Sequence, residues 1–416
     1  MFALQFEFLL LPLAYGSRNT ILLFSCGLTR INVFIGNLIF HGLTLPPSSH
    51  TSIVTRFRIK ANAVRIYILH CPRFFYGAVP MKVWQISSFG IDNLELNDLP
   101  MPHPAPGQVV IKIHATSLNY RDLMMVLGKY NPKMALPRIP LSDGAGEVTA
   151  VGEGVTTFKP GDRVAGIFMQ NWLDGSPHAA KQKGALGGDI DGMLAEYVVL
   201  PATGVVPVPT HLSWEEAATL PCAALTAWNA VVRSGNVKPG STVLIQGTGG
   251  VSIFALQFAK MLGARVLGTS SSDDKLSRAQ KIGLDAGLNY RTTPDWAAWA
   301  VDQTHGEGVD LVVEVGGSGT FAQSLKAART GGTITQIGVL SHATEPFQIG
   351  PLLHKQLQVQ GIYVGSRTEF LTMNQAIEMH GLKPVIDEVF AFQDARKALE
   401  KMEAGRHFGK LVIRVQ

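Results

Sequence analysis

Cysteine is scarce in this chain, with Cys26, Cys71 and Cys222 the only three in 416 residues. Three exclude a disulfide framework and any cage of several cysteines around zinc, and they fit a reducing compartment. Charge is thin too, at 16% of residues against 46% apolar, which describes a globular chain with ample core and no disordered bulk. Acid is nearly missing from residues 1–80. There Glu7 faces Arg18, Arg30, Arg56, Arg58, Lys60, Arg65 and Arg73, a balance of +6 that leaves residues 81–416 at −1 within the overall +5. A near-neutral body gives no reason to expect nucleic acid as a partner. Long apolar runs are absent as well. Stretches such as Phe8–Leu13 and Ile31–Phe40 are broken by Pro12, Gly16, Gly27 and Gly36, short of the ~18–20 residues that span a bilayer. No internal repeat or low-complexity linker is visible.

What is present divides into four stretches, the length alone suggesting two ordinary domains. Residues 1–80 read as a leader outside the fold. The first reading is an upstream over-extension of the reading frame, since MKVWQI at Met81 opens like a strand. The second is a mitochondrial transit peptide, rich in arginine and poor in acid but unusually rich in Leu, Ile and Phe; a membrane anchor comes last. The body is thus expected in the cytoplasm, or in mitochondria if the leader is a genuine transit peptide, with no membrane partner.

Residues 81–208 show short strands between turn residues. Val109–Ile113 follows Pro106-Gly107, Arg163–Phe168 follows Lys159-Pro160-Gly161-Asp162, and Gly146–Val151 and Glu196–Leu200 complete a barrel-like β unit. Leu118–Leu127 reads as a short helix, and Phe168–Gly188 as a long polar-aromatic excursion. Residues 209–365 change period. A helix is expected over Leu212–Ser234, opened by Ser213 with Glu216 three residues on. Strands at Thr242–Gln246, Arg265–Thr269, Gly287–Tyr290, Leu311–Glu314, Thr333–Gly338 and Val359–Val364 then alternate with helices at Val251–Leu262, Asp273–Ile282, Pro294–Gln303 and Gly319–Arg329. Such alternation predicts a doubly wound parallel sheet, and so an α/β protein. In residues 366–416, a helix at Asp394–Ala404 and a strand at Lys410–Val415 are expected to return to the β-rich part.

At the head of the parallel sheet, the buried run Val243–Ile245 leads into Gly247, Thr248, Gly249, Gly250 and Val251. Glycines at a strand-to-helix turn let the backbone approach a pyrophosphate, and the free N–H groups at the helix start make an anion site. Ser252 stands where a third glycine would complete the G-x-G-x-x-G fingerprint, and it is small enough for close packing. The second strand ends in Ser270, Ser271 and Ser272. No acid is there to hold a ribose 2′-OH or to repel a 2′-phosphate.

The motifs SLNYRDLMMVLGKY, PLSDGAGEVTAVGEGVTTFKPGDRV, EEAATLPCAALTAWNAV, GTGGVS, VVEVGG, TQIGVL and GRHFGKLVI follow one another at characteristic spacing. Together they resemble the zinc-free, quinone-oxidoreductase-like branch of the medium-chain dehydrogenase/reductase superfamily over essentially all of 81–416. The resemblance implies a GroES-like β-barrel-type catalytic domain, a Rossmann domain, a cleft between them and a homodimer. It implies that Lys275 and Tyr290 hold a 2′-phosphate, that Gly338, Val339 and Leu340 also line the cofactor, and hence NADPH rather than NADH. Where zinc-dependent members carry Cys, His-Glu and Cys, this chain has Asn119, Asp143-Gly144 and Cys222, and the four-cysteine loop is missing. No zinc is therefore expected, because one thiolate cannot replace three protein ligands.

Without metal, a positioned N–H or O–H must stabilise the charge that hydride transfer builds on the acceptor oxygen. The candidates are Asn119, Tyr120 and Tyr130. By resemblance Asn119 and Tyr130 border the nicotinamide, and Met124 replaces a second tyrosine of some relatives. Arg121 and Asp122 are read as a structural pair, Trp172 as a pocket wall, Cys222 as a small buried residue near the nicotinamide and His178 as a loop residue without a role. The expected activity is reduction of a quinone or an α,β-unsaturated carbonyl. The alternatives are a zinc-free alcohol dehydrogenase or ketone reductase, and an NADPH-binding protein with little turnover.

Overall fold

The computed structural model describes residues 80–341 and 349–416, and the backbone of five strands within residues 20–70. The chain divides into two compact units, Met1–Val79 and Pro80–Gln416. In the first, Thr20–Ser25, Asn62–His70 and Val54–Ile59 make a three-stranded sheet, and Arg30–Ile35 pairs with Leu38–Thr44. The readings of residues 1–80 as an over-extension or a targeting segment rest mostly on residues outside the described ones.

In the second unit, Thr242–Gln246, Arg265–Ser270, Ala286–Asn289, Val309–Glu314, Ala328–Gln336 and Gln358–Gly361 form one sheet. Every pairing in it is parallel, and the spatial order is 3-2-1-4-5-6 of these strands. This is the doubly wound order, with its switch point beside the first strand. Val243, Leu244, Ile245, Val312 and Val313 are buried because helices cover both faces. Gly250–Met261 brings Phe254 and Phe258 to one face, and Trp296–Asp302 with Phe321–Ala327 brings Trp296, Ala300 and Leu325 to the other. Asp273–Lys281 is capped by Ser272, which accepts from Lys275 N.

Four expected elements differ. The helix over Leu212–Ser234 starts at Trp214 behind the Ser213/Glu216 capping box, but wide π-helical turns interrupt it at Leu220–Ala224 and Asn229–Ser234. Pro221 has no N–H to close a regular turn, and the helix widens there. The fifth strand begins at Ala328 and ends at Gln336, so the helix before it stops at Ala327. The sixth strand stops at Gly361, and Val364, with φ +58°, cannot continue an extended chain.

In the β-rich part, Gln108–Ser117 is the hub, antiparallel to Asp143–Val151, Tyr197–Pro201 and Lys410–Arg414. Arg163–Gly166 and Val205–Pro207 extend one side of this sheet, and Ile386–Ala391 the other. The last of these strands and the helix Arg367–His380 were not expected, although Ser366 and Glu369 form a capping box and Gly381 ends that helix in the left-handed region. The C-terminal strand thus runs beside the hub, with Val412 opposite Ser117, and the helix Ala395–Glu403 packs Ala398, Leu399 and Met402 into the same core.

Candidate active site

The glycine turn is built as the sequence predicts. Gly247 has φ +67°, and a Cβ on either Gly247 or Gly249 would meet nothing within 4 Å. Protein packing thus does not require glycine at Gly249; the space in front of it is open, as a phosphate-binding turn needs. Ser252 donates to Gln246 O at 2.7 Å, which ties the helix start to the strand end. Gly250 is different, because a Cβ there would lie 2.6 Å from Cδ of Lys410. Gly409 N donates to Thr248 O at 2.9 Å. The turn and the C-terminal strand are therefore fastened together, and the stem of Lys410 lies across the helix start beside Val251.

At the far end of that stem stands a buried polar cluster. Lys410 Nζ donates to Leu118 O at 2.7 Å and to Asn119 Oδ1 at 2.6 Å, and lies 3.7 Å from Asp143 Oδ2. Lys410 is 2% exposed and Asp143 0%. Asn119 Nδ2 donates to Ser142 Oγ at 3.3 Å, and Ser142 Oγ donates to Asp143 Oδ1 at 2.9 Å. Asn119 stands immediately before the helix Tyr120–Val126, where its N–H donates to Asp122 Oδ2 at 2.9 Å. Ser142 N donates to the other oxygen of Asp122 at 3.2 Å, so one carboxylate joins the two arms of the cluster. Burial pushes Asp122 up to about 6, against the pull of Arg121. Arg121 lies 3.4 Å from Asp122, as the structural-pair reading expects, and also donates to Leu186 O at 2.7 Å.

The aromatic wall lies on the other side of Arg121. Its guanidinium sits 5.9 Å from the Tyr130 ring and 5.0 Å from the Phe168 ring. Tyr130 donates to the phenol of Tyr363 at 3.2 Å. Burial pushes the Tyr363 phenol upward, so it stays protonated. Two backbone positions with positive φ flank the cluster: Leu141 at +67°, next to Ser142, and Val364 at +58°, next to Tyr363. Each conformation costs an L-residue on the order of 1–2 kcal/mol and persists only where surrounding contacts hold it. Asn229 Nδ2, donating to Val364 O at 2.9 Å, and Met193 N, donating to Leu141 O at 2.8 Å, are such contacts.

At the end of the second strand, Ser270 is buried and its hydroxyl accepts from Ser272 N at 3.3 Å, with Ser271 between them. Tyr290 N donates to Ser270 O at 3.0 Å, which places the exposed Tyr290 ring at this edge. Lys275 Nζ reaches Gly405 O at 3.2 Å. Asp273, the nearest acid, accepts from Asn289 Nδ2 at 3.1 Å. Burial lowers His407 to about 4, helped by the charges of Lys275 and Lys410, and its Nδ1 is buried without a partner. After the fifth strand, Gly338 is fixed by packing, since a Cβ would sit 1.9 Å from Val315 O. Val339 and Leu340 follow it, exposed.

The fold thus brings Asn119 to the Lys410 stem on Gly250, pairs Tyr130 with Tyr363, and sets Tyr290 beside Ser270 at one strand end, with the Lys275 ammonium on Gly405 O. Tyr120 is exposed at the start of the helix Tyr120–Val126. Trp172 is buried and donates from its ring to Gly175 O at 2.9 Å, and His178 accepts from Ala180 N at 3.3 Å within its own loop. Lys410, Ser142 and Tyr363 were not singled out from the sequence. The first lies in the GRHFGKLVI motif and the second beside Asp143, but nothing in the spacing of Tyr363 points to Tyr130.

Among the described residues, no group of three or more His, Cys, Asp and Glu gathers as metal ligands do. The donors at the positions corresponding to a zinc site are engaged otherwise. Asn119 Oδ1 accepts from Lys410, and Asp143 faces the same ammonium. The partly exposed Cys222 has its thiol pushed upward by desolvation and by the Asp143 carboxylate. A buried ammonium beside the one carboxylate, with a protonated thiol, is not a donor set that fits zinc.

Comparison with known proteins places this geometry in a family. Residues 105–210 match the alcohol dehydrogenase GroES-like domain, and residues 250–379 match the family described as zinc-binding dehydrogenase. A zinc-type alcohol dehydrogenase-like protein of Schizosaccharomyces pombe is 45% identical over 333 residues, covering 78% of this chain and 96% of that protein. The acryloyl-coenzyme A reductase of Metallosphaera sedula is 31% identical over 330 residues, covering 77% and 96%. Among solved structures, an NAD-dependent alcohol dehydrogenase superposes with a TM-score of 0.75 at 36% identity, over 81% of this chain and 100% of its own. The quinone oxidoreductase of Coxiella burnetii gives 0.66 at 28% identity, over 81% and 100%. With a GroES-like domain, a Rossmann sheet and an open glycine turn between them, the chain belongs to the medium-chain dehydrogenase/reductase superfamily and is an NAD(P)-dependent oxidoreductase.

Proposed function

We propose that this oxidoreductase is NADPH-dependent and zinc-independent, that it transfers hydride to a quinone or an α,β-unsaturated carbonyl, and that it works as a homodimer. The observation that carries the reading is the cluster around Asn119. Where a zinc enzyme would hold a Lewis acid, the Asn119 amide N–H and the Tyr130 phenol are the groups that could meet a developing oxyanion. Such neutral donors suit an acceptor that spreads its charge by conjugation. The bound nicotinamide supplies hydride; Asn119 and Tyr130 orient the acceptor and stabilise its oxygen. An acryloyl-coenzyme A reductase and a quinone oxidoreductase among the similar proteins agree with conjugated acceptors.

The preference for NADPH rests on the strand end at Ser270 and Ser271, which offers hydroxyls, with Lys275 and Tyr290 at the same edge. Its nearest acid, Asp273, is taken up by Asn289. Gly247, Thr248, Gly249, Gly250 and Val251 would take the pyrophosphate, and Gly338, Val339 and Leu340 the nicotinamide half. The dimer reading rests on the open edge strand Gln358–Gly361, exposed along its length, with Ile349 and Leu353 exposed at 68% and 72% nearby.

A second reading, a zinc-free alcohol dehydrogenase or ketone reductase, is favoured by the alcohol dehydrogenase names among the similar proteins. An NADPH-oxidation screen over quinones, enals, enones and saturated ketones separates the two. Turnover with conjugated acceptors and little with saturated ketones supports the proposal, and the reverse pattern supports the second reading.

A further inference from the structure

We infer that Lys410 is a positioning residue that fixes which end of the Asn119 side chain meets the acceptor, an inference that rests on Asn119 being the donor proposed above. An asparagine amide carries an acceptor and a donor of nearly equal size, so a pocket must decide between two orientations. Here the decision is made by a closed circuit. Lys410 Nζ donates to Asn119 Oδ1 at 2.6 Å, Asn119 Nδ2 to Ser142 Oγ at 3.3 Å, and Ser142 Oγ to Asp143 Oδ1 at 2.9 Å. Asp143 Oδ2 then faces Lys410 Nζ again at 3.7 Å.

The direction of every bond follows from the two ends. An ammonium can only donate and a carboxylate can only accept, so the hydroxyl and the amide between them have one consistent arrangement. Flipping the amide would set its NH₂ against the ammonium and its oxygen against a hydroxyl committed to Asp143. Asn119 Nδ2 has two hydrogens, and the second finds no acceptor among the described residues. That second N–H is the one available to a bound substrate.

Lys410 itself is committed within the cluster. Leu118 O and Asn119 Oδ1 accept from it and Asp143 Oδ2 faces it at 3.7 Å, and its charge acts through Asn119 rather than on substrate. Its stem lies against Gly250 of the cofactor turn, so the same side chain locates the amide relative to that turn. Ammonium and carboxylate are both buried, where hydrogen bonds are strong and an unpaired group is costly. The circuit is therefore rigid.

A double-mutant cycle on single-turnover hydride transfer, from saturating NADPH to an active enone or quinone, tests this. Asn119→Ala should slow transfer by ~10²–10³. Lys410→Met keeps the stem and removes the charge; it should slow transfer by roughly 10- to 100-fold, the effect of one charge-assisted hydrogen bond. In the Asn119→Ala background the same change should cost less than about twofold, because the group it orients is gone. Lys410→Met strands Asp143, so Lys410→Met/Asp143→Asn, which removes both charges, carries the same comparison if the single variant does not fold. Equal losses in both backgrounds, or a wild-type rate in the charge-free pair, overturn the inference and leave Asn119 as donor. An Asn119→Ala enzyme with wild-type rate overturns the donor reading itself.

Discussion

The phenol of Tyr130 donates to the phenol of Tyr363 at 3.2 Å, and so joins the loop after the first helix of the GroES-like part to a residue two positions past the last Rossmann strand. Tyr130→Phe deletes one hydroxyl and keeps the ring. If that hydroxyl meets the acceptor oxygen, single-turnover transfer should fall ~10²–10³ with NADPH affinity unchanged. Tyr363→Phe removes only the group that accepts from Tyr130 and leaves the Tyr130 proton in place, so it should change the rate by less than about tenfold, within the ~1 kcal/mol of a neutral hydrogen bond. Equal rates in Tyr130→Phe and wild type would make Tyr130 a wall and leave Asn119 as the only donor.

Lys275 Nζ donates to Gly405 O at 3.2 Å. Binding a 2′-phosphate exchanges a neutral acceptor for a charged one, worth about 1.5–3 kcal/mol for a charge-assisted contact. Lys275→Ala should therefore raise the NADPH KM by roughly 10- to 150-fold and leave the NADH KM nearly unchanged. The comparison of KM for the two cofactors is the check, and an equal effect on both would assign Lys275 to loop structure.

Asp122 carries a pH signature. Burial raises it from 3.8 to about 6 in the folded protein, so the folded state holds the proton more tightly than the unfolded state does. The associated stability is fully present below pH 3.8 and is lost as pH rises through about 6, a loss of about 3 kcal/mol from this one group. Asp122→Asn has no such slope. In urea melts, the stability advantage of wild type over Asp122→Asn should shrink by about that amount between pH 4 and pH 7; a constant difference would contradict the burial argument.

Glu314 is buried at the end of the fourth Rossmann strand, and only donors face it. Gly316 N and Gly317 N reach Oε1 at 2.8 and 2.9 Å, with Thr320 Oγ1; Gln246 Nε2 reaches Oε2 at 2.8 Å, with Ser324 Oγ. Glu314→Gln sets an NH₂ against at least two of those donors, and should lower stability by about 1–3 kcal/mol per donor left unpaired. Thermal melts and cofactor affinity should fall together, because Gly316 and Gly317 shape the turn beside Gly338.

The parallel sheet was legible because its strands are short apolar runs, each followed by a helix with an apolar stripe, a pattern set within a few residues. The glycine turn was legible for the same reason. Its open space at Gly249 and the left-handed Gly247 are local properties of the backbone. The π-helical turns around Pro221 escaped, since a widened turn keeps the apolar content of a regular helix. So did the circuit at Asn119, whose members come from positions 119, 142, 143 and 410 and meet only after the C-terminal strand pairs with Gln108–Ser117. Tyr363 lies between a strand that ends early, at Gly361, and the left-handed Val364, a break that no composition signal marks. The capping role of Asp122, beyond its pairing with Arg121, could have been read as well, because Asn119 and Asp122 stand at capping-box spacing.

The rate of NADPH oxidation by a conjugated enone or quinone, measured on the same preparation before and after exhaustive chelation, tests the central claim most directly. The account predicts turnover with NADPH well above that with NADH, unchanged by chelation and accompanied by less than stoichiometric zinc. Loss of activity on chelation with recovery on adding zinc, or turnover with NADH equal to that with NADPH, would contradict it.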